Sequence, residues 1–199
     1  FTLGLYAPRW TRAHFPDFPS VGRFESAVFD PIKWVPEYKN PAFLNELPDD
    51  AFWAARQIMA FTDEHVRAVV ASGQYSDPAA AEWVTKCLIE RRDKIGRAYL
   101  ASVLALDRFS VEKGELRYAD LAVIHKVSGP SDYSVAWSEF DNATDSAKAL
   151  PGFQGLQIPR VKAEYVRATI RGGDDRRSID VYIRNPAAQA EVVGVERHW

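Results

Sequence analysis

The stretch HFPDFPS gathers His14, Asp17 and Ser20 within seven residues, the side-chain types of a hydrolytic triad. In a triad the histidine takes the serine proton and the carboxylate holds the imidazole, so geometry decides, not proximity in sequence. A proline-rich stretch is a poor scaffold for that geometry, and no joint chemistry is expected of the three. The remaining histidines, His65, His125 and His198, are scattered without the spacing of metal ligands. Cys87 is the single cysteine, which leaves no internal disulfide and no thiolate metal cluster. No phosphate loop, G-x-S-x-G elbow or H-E-x-x-H occurs. Asp49/Asp50 and Asp174/Asp175 read as a helix start and a hairpin tip, and GFQGLQIP as a turn without phosphate-binding context. The sequon N-A-T at Asn142 has a meaning that depends on the host. No catalytic, cofactor-binding or metal-binding residue is therefore assigned.

A run of five charges, Glu90, Arg91, Arg92, Asp93 and Lys94, interrupts an otherwise apolar helical pattern. Val84, Leu88, Ile95 and Tyr99 form one helical stripe, and Arg91 falls inside it. Glu90 with Lys94, and Asp93 with Arg97, can close as pairs four residues apart on a wet face. Arg91 cannot, and an unpaired buried charge costs several kcal/mol, roughly. An acidic partner from another element is expected, with Asp63, Glu64, Asp141 and Asp145 as candidates. A fork of Arg91 and Arg92 for a phosphate or carboxylate ligand is the functional alternative. A structural brace is the commoner use of such arginines.

The elements around this run predict an α+β chain in three regions. Residues 1–47 hold ten of the 25 aromatic residues and six of the twelve prolines. Proline at that density prevents long helices and removes ladder donors, so an extended or turned strap is expected. Its aromatic content argues against disorder. Trp10, Phe15, Phe18, Phe24 and Trp34 are the candidate partner-binding residues, anchored either in a surface outside 48–199 or in this chain's own core. Residues 48–109 read as a small layer of three helices. The first starts at Asp49/Asp50 and buries Phe52, Ala55 and Met59. The second is capped by Thr62, buries Val66, Val69 and Val70, and stops at Gly73. The third starts at Asp77-Pro78 and runs to about Leu106. Residues 110–199 switch to strand periodicity: Tyr133, Val135 and Trp137 share a face, two strands flank a loop at 172–175, and AEVVGVERHW supplies a last strand. A mostly antiparallel sheet follows, with 48–199 expected to form one domain.

The net charge is −2 and each region is nearly balanced, with five basic and five acidic residues in 1–46, eight and nine in 47–109, twelve and thirteen in 110–199. That balance disfavours nucleic acid and anionic membranes as partners. No apolar run approaches the roughly twenty residues of a membrane span. The chain opens at Phe1 inside an apolar stretch, which reads as part of a longer polypeptide with any targeting signal upstream.

Three stretches, PSVGRFESAVFDPIKWVPEYKNPAFLN, DDAFWAARQIMAFTDEHVRAVVASGQYSDPAAAEWV and LIERRDKIGRAYL, resemble the C-terminal region of a group of uncharacterised bacterial proteins of several hundred residues. The likeness is specific over roughly the first half of the chain and loose beyond it. In that group the upstream part resembles a degenerate kinase-like fold and the N-terminus looks like an export signal, so no catalytic residue carries over to any position here. The resemblance implies a C-terminal accessory portion of a larger exported protein, periplasmic or envelope-associated, with a cytoplasmic location as the alternative. With no catalytic constellation and an aromatic strap, the chain reads as a non-catalytic interaction or structural subunit whose contact is a protein partner or the upstream region, with a membrane-bound complex as a candidate assembly. The alternative is the C-terminal lobe of an enzyme whose catalytic residues lie upstream.

Overall fold

The computed structural model describes residues 9–38, 40–173 and 176–199, and for Arg9 and Trp10 the backbone alone. The chain is α+β and divides into two compact units at Tyr99/Leu100. This partition sets residues 9–47 together with the helices and the strands by themselves, where the sequence suggested a grouping of 48–199.

In the first unit, the described residues before Asn40 contain one 3-10 turn, Arg9–Arg12, and no strand. A single-turn helix α1 (Pro41–Leu44) follows, capped by the Asn40 side chain. Helix α2 (Pro48–Met59) begins with proline at its first position and two aspartates in its first turn, and it buries Phe52, Ala55 and Met59 as their spacing demands. Helix α3 (Asp63–Ser72) is capped by Thr62, whose hydroxyl accepts from the His65 amide at 3.2 Å. Val66 and Val70, four apart, face inward, which turns Val69 out to 60% exposure; its expected burial is corrected here. Helix α4 (Pro78–Leu100) starts where the Asp77 carboxylate accepts from the Ala79 amide at 2.8 Å. It ends at Leu100, short of Leu106, because the next apolar residues enter a strand pairing. Val66, Val70 and Val84 form a buried cluster against which Val21, Phe24 and Leu88 pack. Gly96 sits where α4 meets α2: a Cβ there would run into the Met59 side chain.

The second unit holds two antiparallel sheets. Strands β1 (Leu106–Glu112) and β2 (Glu115–Asp120) form a hairpin whose two turn residues, Lys113 and Gly114, both have positive φ, as a tight turn between twisted strands requires. A single-turn helix α5 (Leu121–Ile124) follows, capped by Asp120. Strands β3 (Ser134–Asp141), β4 (Ser146–Gln154), β5 (Tyr165–Arg171), β6 (Ser178–Arg184) and β7 (Glu191–His198) build the larger sheet in the order β4-β3-β5-β6-β7. Alternation puts Val135 and Trp137, then Val166, Ala168 and Ile170, then Ile179, Val181 and Ile183 on one face, buried with Leu106 and Leu116 of the hairpin. Asp174 and Asp175, expected at the β5–β6 tip, lie outside the described residues.

Candidate interaction surface

The charged run of α4 meets the irregular segment that precedes the helices. A proline-rich segment with no strand ladder leaves its carbonyls in need of donors. One face of α4 supplies them in sequence order. Trp83 Nε1 donates to the Phe24 carbonyl at 2.8 Å and Arg91 Nε to the Glu25 carbonyl at 2.6 Å. Lys94 Nζ donates to the carbonyls of Ser26 at 2.6 Å, Ala27 at 2.9 Å and Phe29 at 3.1 Å. The Tyr99 hydroxyl reaches the Pro31 carbonyl at 3.4 Å, and the Ser26 hydroxyl donates to the Glu90 carboxylate. Arg91 is half-buried, with its guanidinium over the Phe24 ring at 4.3 Å and the Phe29 ring at 4.9 Å.

The acidic partner expected for Arg91 is thus replaced by a backbone carbonyl and two rings. Asp63 is taken by Arg92, at 2.8 Å, alongside Asp93 at 2.7 Å and the Phe61 carbonyl at 2.8 Å. Burial works against the Arg92 charge, and the two carboxylates more than offset it, raising its pKa. Cys87 lies buried on the same helix; burial pushes its thiol pKa up, opposed by a hydrogen bond with Ser26. That is the environment of an inert thiol.

Of the candidate partner-binding residues, Phe24 packs on the Val66–Val84 cluster, Phe18 is half-buried, Phe15 is 38% exposed and Trp34 is 57% exposed. The Trp10 side chain lies outside the described residues. Trp34 borders a groove of about 680 Å³, with Phe29, Phe43, Trp53, Ile58 and Tyr99 among its walls. A second depression of about 370 Å³ shares Phe29, Ile58 and Ile95 and continues to Phe61, Val69 and Leu88. Phe43, Trp53 and Phe61 stand more than half exposed along this track. Sequence reasoning missed Trp53, although a signal existed: Phe52 and Trp53 are adjacent, so one helix cannot turn both into the same core.

His14, Asp17 and Ser20 are all exposed, and no hydrogen bond among the described residues joins them. The second unit does bring polar groups together, on the sheet face opposite its core. Asp180 of β6 stands directly across from Glu196 of β7, with His198 two residues on. Ligand atoms of the three lie within 4.8 Å of one another. The Asp180 oxygens are already engaged: the Thr169 hydroxyl donates at 2.5 Å, Arg167 stands at 3.4 Å and His198 at 3.4 Å, while the Tyr182 hydroxyl donates to Glu196 at 3.0 Å. Arg167 offsets the cross-strand pair of carboxylates, which like charges directly opposite would otherwise destabilise. No described helix is long and apolar enough to cross a membrane.

Compared with protein-family models, curated proteins and solved structures, the chain finds no match in any of the three.

Proposed function

We propose that the chain is a non-catalytic interaction or structural subunit, an accessory portion of a larger envelope-associated or membrane-bound assembly. In this reading residues 1–47 act as a strap, the helices α2, α3 and α4 are its support, and its partner is another protein or the upstream region of the same polypeptide. The observation that carries it is the exposed aromatic track of Trp34, Phe43, Trp53 and Phe61 beside a groove, one wall of which, Phe29, has its backbone carbonyl held by Lys94. Scattered exposed apolar residues are ordinary; a continuous row of large rings marks interaction surfaces. Fixing the segment beforehand lowers the entropy lost on binding. The envelope location rests on the sequence resemblance.

The test is the intact mass of the native polypeptide together with its purification under mild conditions. Stoichiometric co-purification with a partner, lost in Trp34→Ala and Trp53→Ala chains that fold normally, is expected. A native polypeptide that stays alone and hydrolyses or transfers nucleotide phosphate would overturn the reading in favour of an enzyme lobe with its catalytic residues upstream.

A further inference from the structure

The described charges on the wall of the larger groove are Glu46 and Asp50, both acidic. Around them stand five aromatic rings, Phe29, Trp34, Phe43, Trp53 and Tyr99. One Asp50 oxygen accepts from the Leu47 amide at 3.0 Å, and Glu46 has no ion partner among the described residues. Glu46 and Tyr99 line the same groove, and burial together with the negative charge of Glu46 pushes the Tyr99 phenol pKa up. Aromatic faces and carboxylates together favour a cation, which rings attract through their quadrupoles. A small organic cation would fill only part of this surface, because the second depression extends it past Ile58 and Ile95 to Phe61 and Val69. At that far end Arg92 is paired with Asp63 and Asp93 while Arg91, bonded to the neutral Glu25 carbonyl, keeps its positive charge, so the end of the surface that suits a cation is the one with Glu46 and Asp50.

We infer that this groove takes a segment of a protein partner that combines apolar or proline side chains with a lysine or arginine. The inference rests on the interaction reading above and adds the chemistry of the partner. The aromatic walls receive the apolar residues, as aromatic-lined grooves receive proline-rich and amphipathic segments generally. Glu46 and Asp50 take the cation at the rim, which fixes the direction in which the segment lies.

Short random peptides displayed on phage, panned against the whole chain, test it. The expected result is enrichment of sequences that join apolar residues or proline with Lys or Arg. Synthetic copies should bind roughly thirtyfold more weakly to Trp34→Ala or Trp53→Ala, the usual loss at an interfacial tryptophan. Glu46→Lys should weaken them about three- to tenfold and flatten the salt dependence. Both tryptophans are more than half exposed and Glu46 is exposed, so these variants should keep the fold, which circular dichroism checks. Tryptophan-dependent peptides without excess basic residues, or indifferent to Glu46→Lys, would overturn the inference and leave the interaction reading standing. No tryptophan-dependent peptide at all, or self-association of the chain through this face, would overturn the inference; the first of these would remove the interaction reading as well.

Discussion

Arg91 and Glu25 meet through the backbone. The Arg91 Nε–H donates to the Glu25 carbonyl at 2.6 Å, while the Glu25 carboxylate turns back to accept from the Val28 amide at 2.8 Å. The acid closes a local turn, and the arginine satisfies the carbonyl that the turn leaves outward. Lys94 repeats the device one helical turn later with three carbonyls at once. A charged run in an apolar helix is here a row of donors for a segment that has no ladder of its own.

Lys94→Met keeps the aliphatic stem and removes the ammonium that the Ser26, Ala27 and Phe29 carbonyls share. Charge-assisted hydrogen bonds contribute more than neutral ones, and a half-buried carbonyl stripped of its donor keeps part of its access to water. The expected cost is about 2 kcal/mol in denaturant unfolding, with cleavage by trypsin at Arg23 and Lys33 accelerating before global unfolding. Arg91→Leu should behave alike. Unchanged protection of these two sites in both variants would show that the segment is held by its rings and not by its carbonyls.

The tryptophans divide by position. Trp137 is 3% exposed and donates through Nε1 to the Gly155 carbonyl at 2.9 Å, so Trp137→Ala should cost about 3–5 kcal/mol. Trp34 and Trp53 are 57% and 59% exposed, and their alanine variants should cost no more than about 1 kcal/mol. Urea melts on the three variants decide this. A large loss at Trp34 or Trp53 would mean that these rings support the unit itself.

Legibility in the sequence followed side-chain patterning. The caps at Thr62 and Asp77, the α2 face of Phe52, Ala55 and Met59, and the Val135/Trp137 face of β3 are all visible as residue type and period. Strand β4 is not, because Pro151 and Gly152 interrupt it and an edge strand exposed on both faces carries no alternation. The β1–β2 hairpin is obscured because Leu104 and Leu106 continue the spacing of α4, and a short apolar run cannot by itself say helix or strand. Sequence spacing showed that Arg91 needed a partner but could not show a carbonyl as that partner, since backbone demand leaves no mark on side-chain type. Glu196 and His198 share a face by parity alone, yet Asp180 joins them only through the β6–β7 register, which no local pattern encodes.

Asp180 is the centre of the polar face of the second unit. It is buried, and its removal would leave Arg167 without its carboxylate and Thr169 without its acceptor. Asp180→Ala should cost about 3 kcal/mol, and Asp180→Asn less, because the amide oxygen still accepts from Thr169. With its oxygens so engaged, zinc added to the native chain should leave the thermal midpoint unmoved. A rise in the midpoint that His198→Ala abolishes would instead make Asp180, Glu196 and His198 a metal site.

Tyr133 gives the pH prediction. Its hydroxyl donates to Asp120 at 2.6 Å, and its ring meets that of Tyr118 edge-on, with centroids 6.0 Å apart. Burial first, then the hydrogen bond to Asp120 and the negative charge of that carboxylate, raise the phenol far above its ordinary value. The folded-state pKa therefore exceeds the unfolded one of about 10. The contribution to stability is complete below that unfolded value and is lost as pH rises towards the folded one. The native chain should be insensitive to this group at neutral pH and lose stability steeply above about pH 10. Alkaline titration of phenolate absorbance should show Tyr133→Phe lacking one late-ionising tyrosine, and Asp120→Asn shifting that tyrosine to lower pH while the amide still caps α5. If Asp120→Asn leaves the late class where it was, burial alone holds the Tyr133 proton and the Asp120 contact contributes nothing to it.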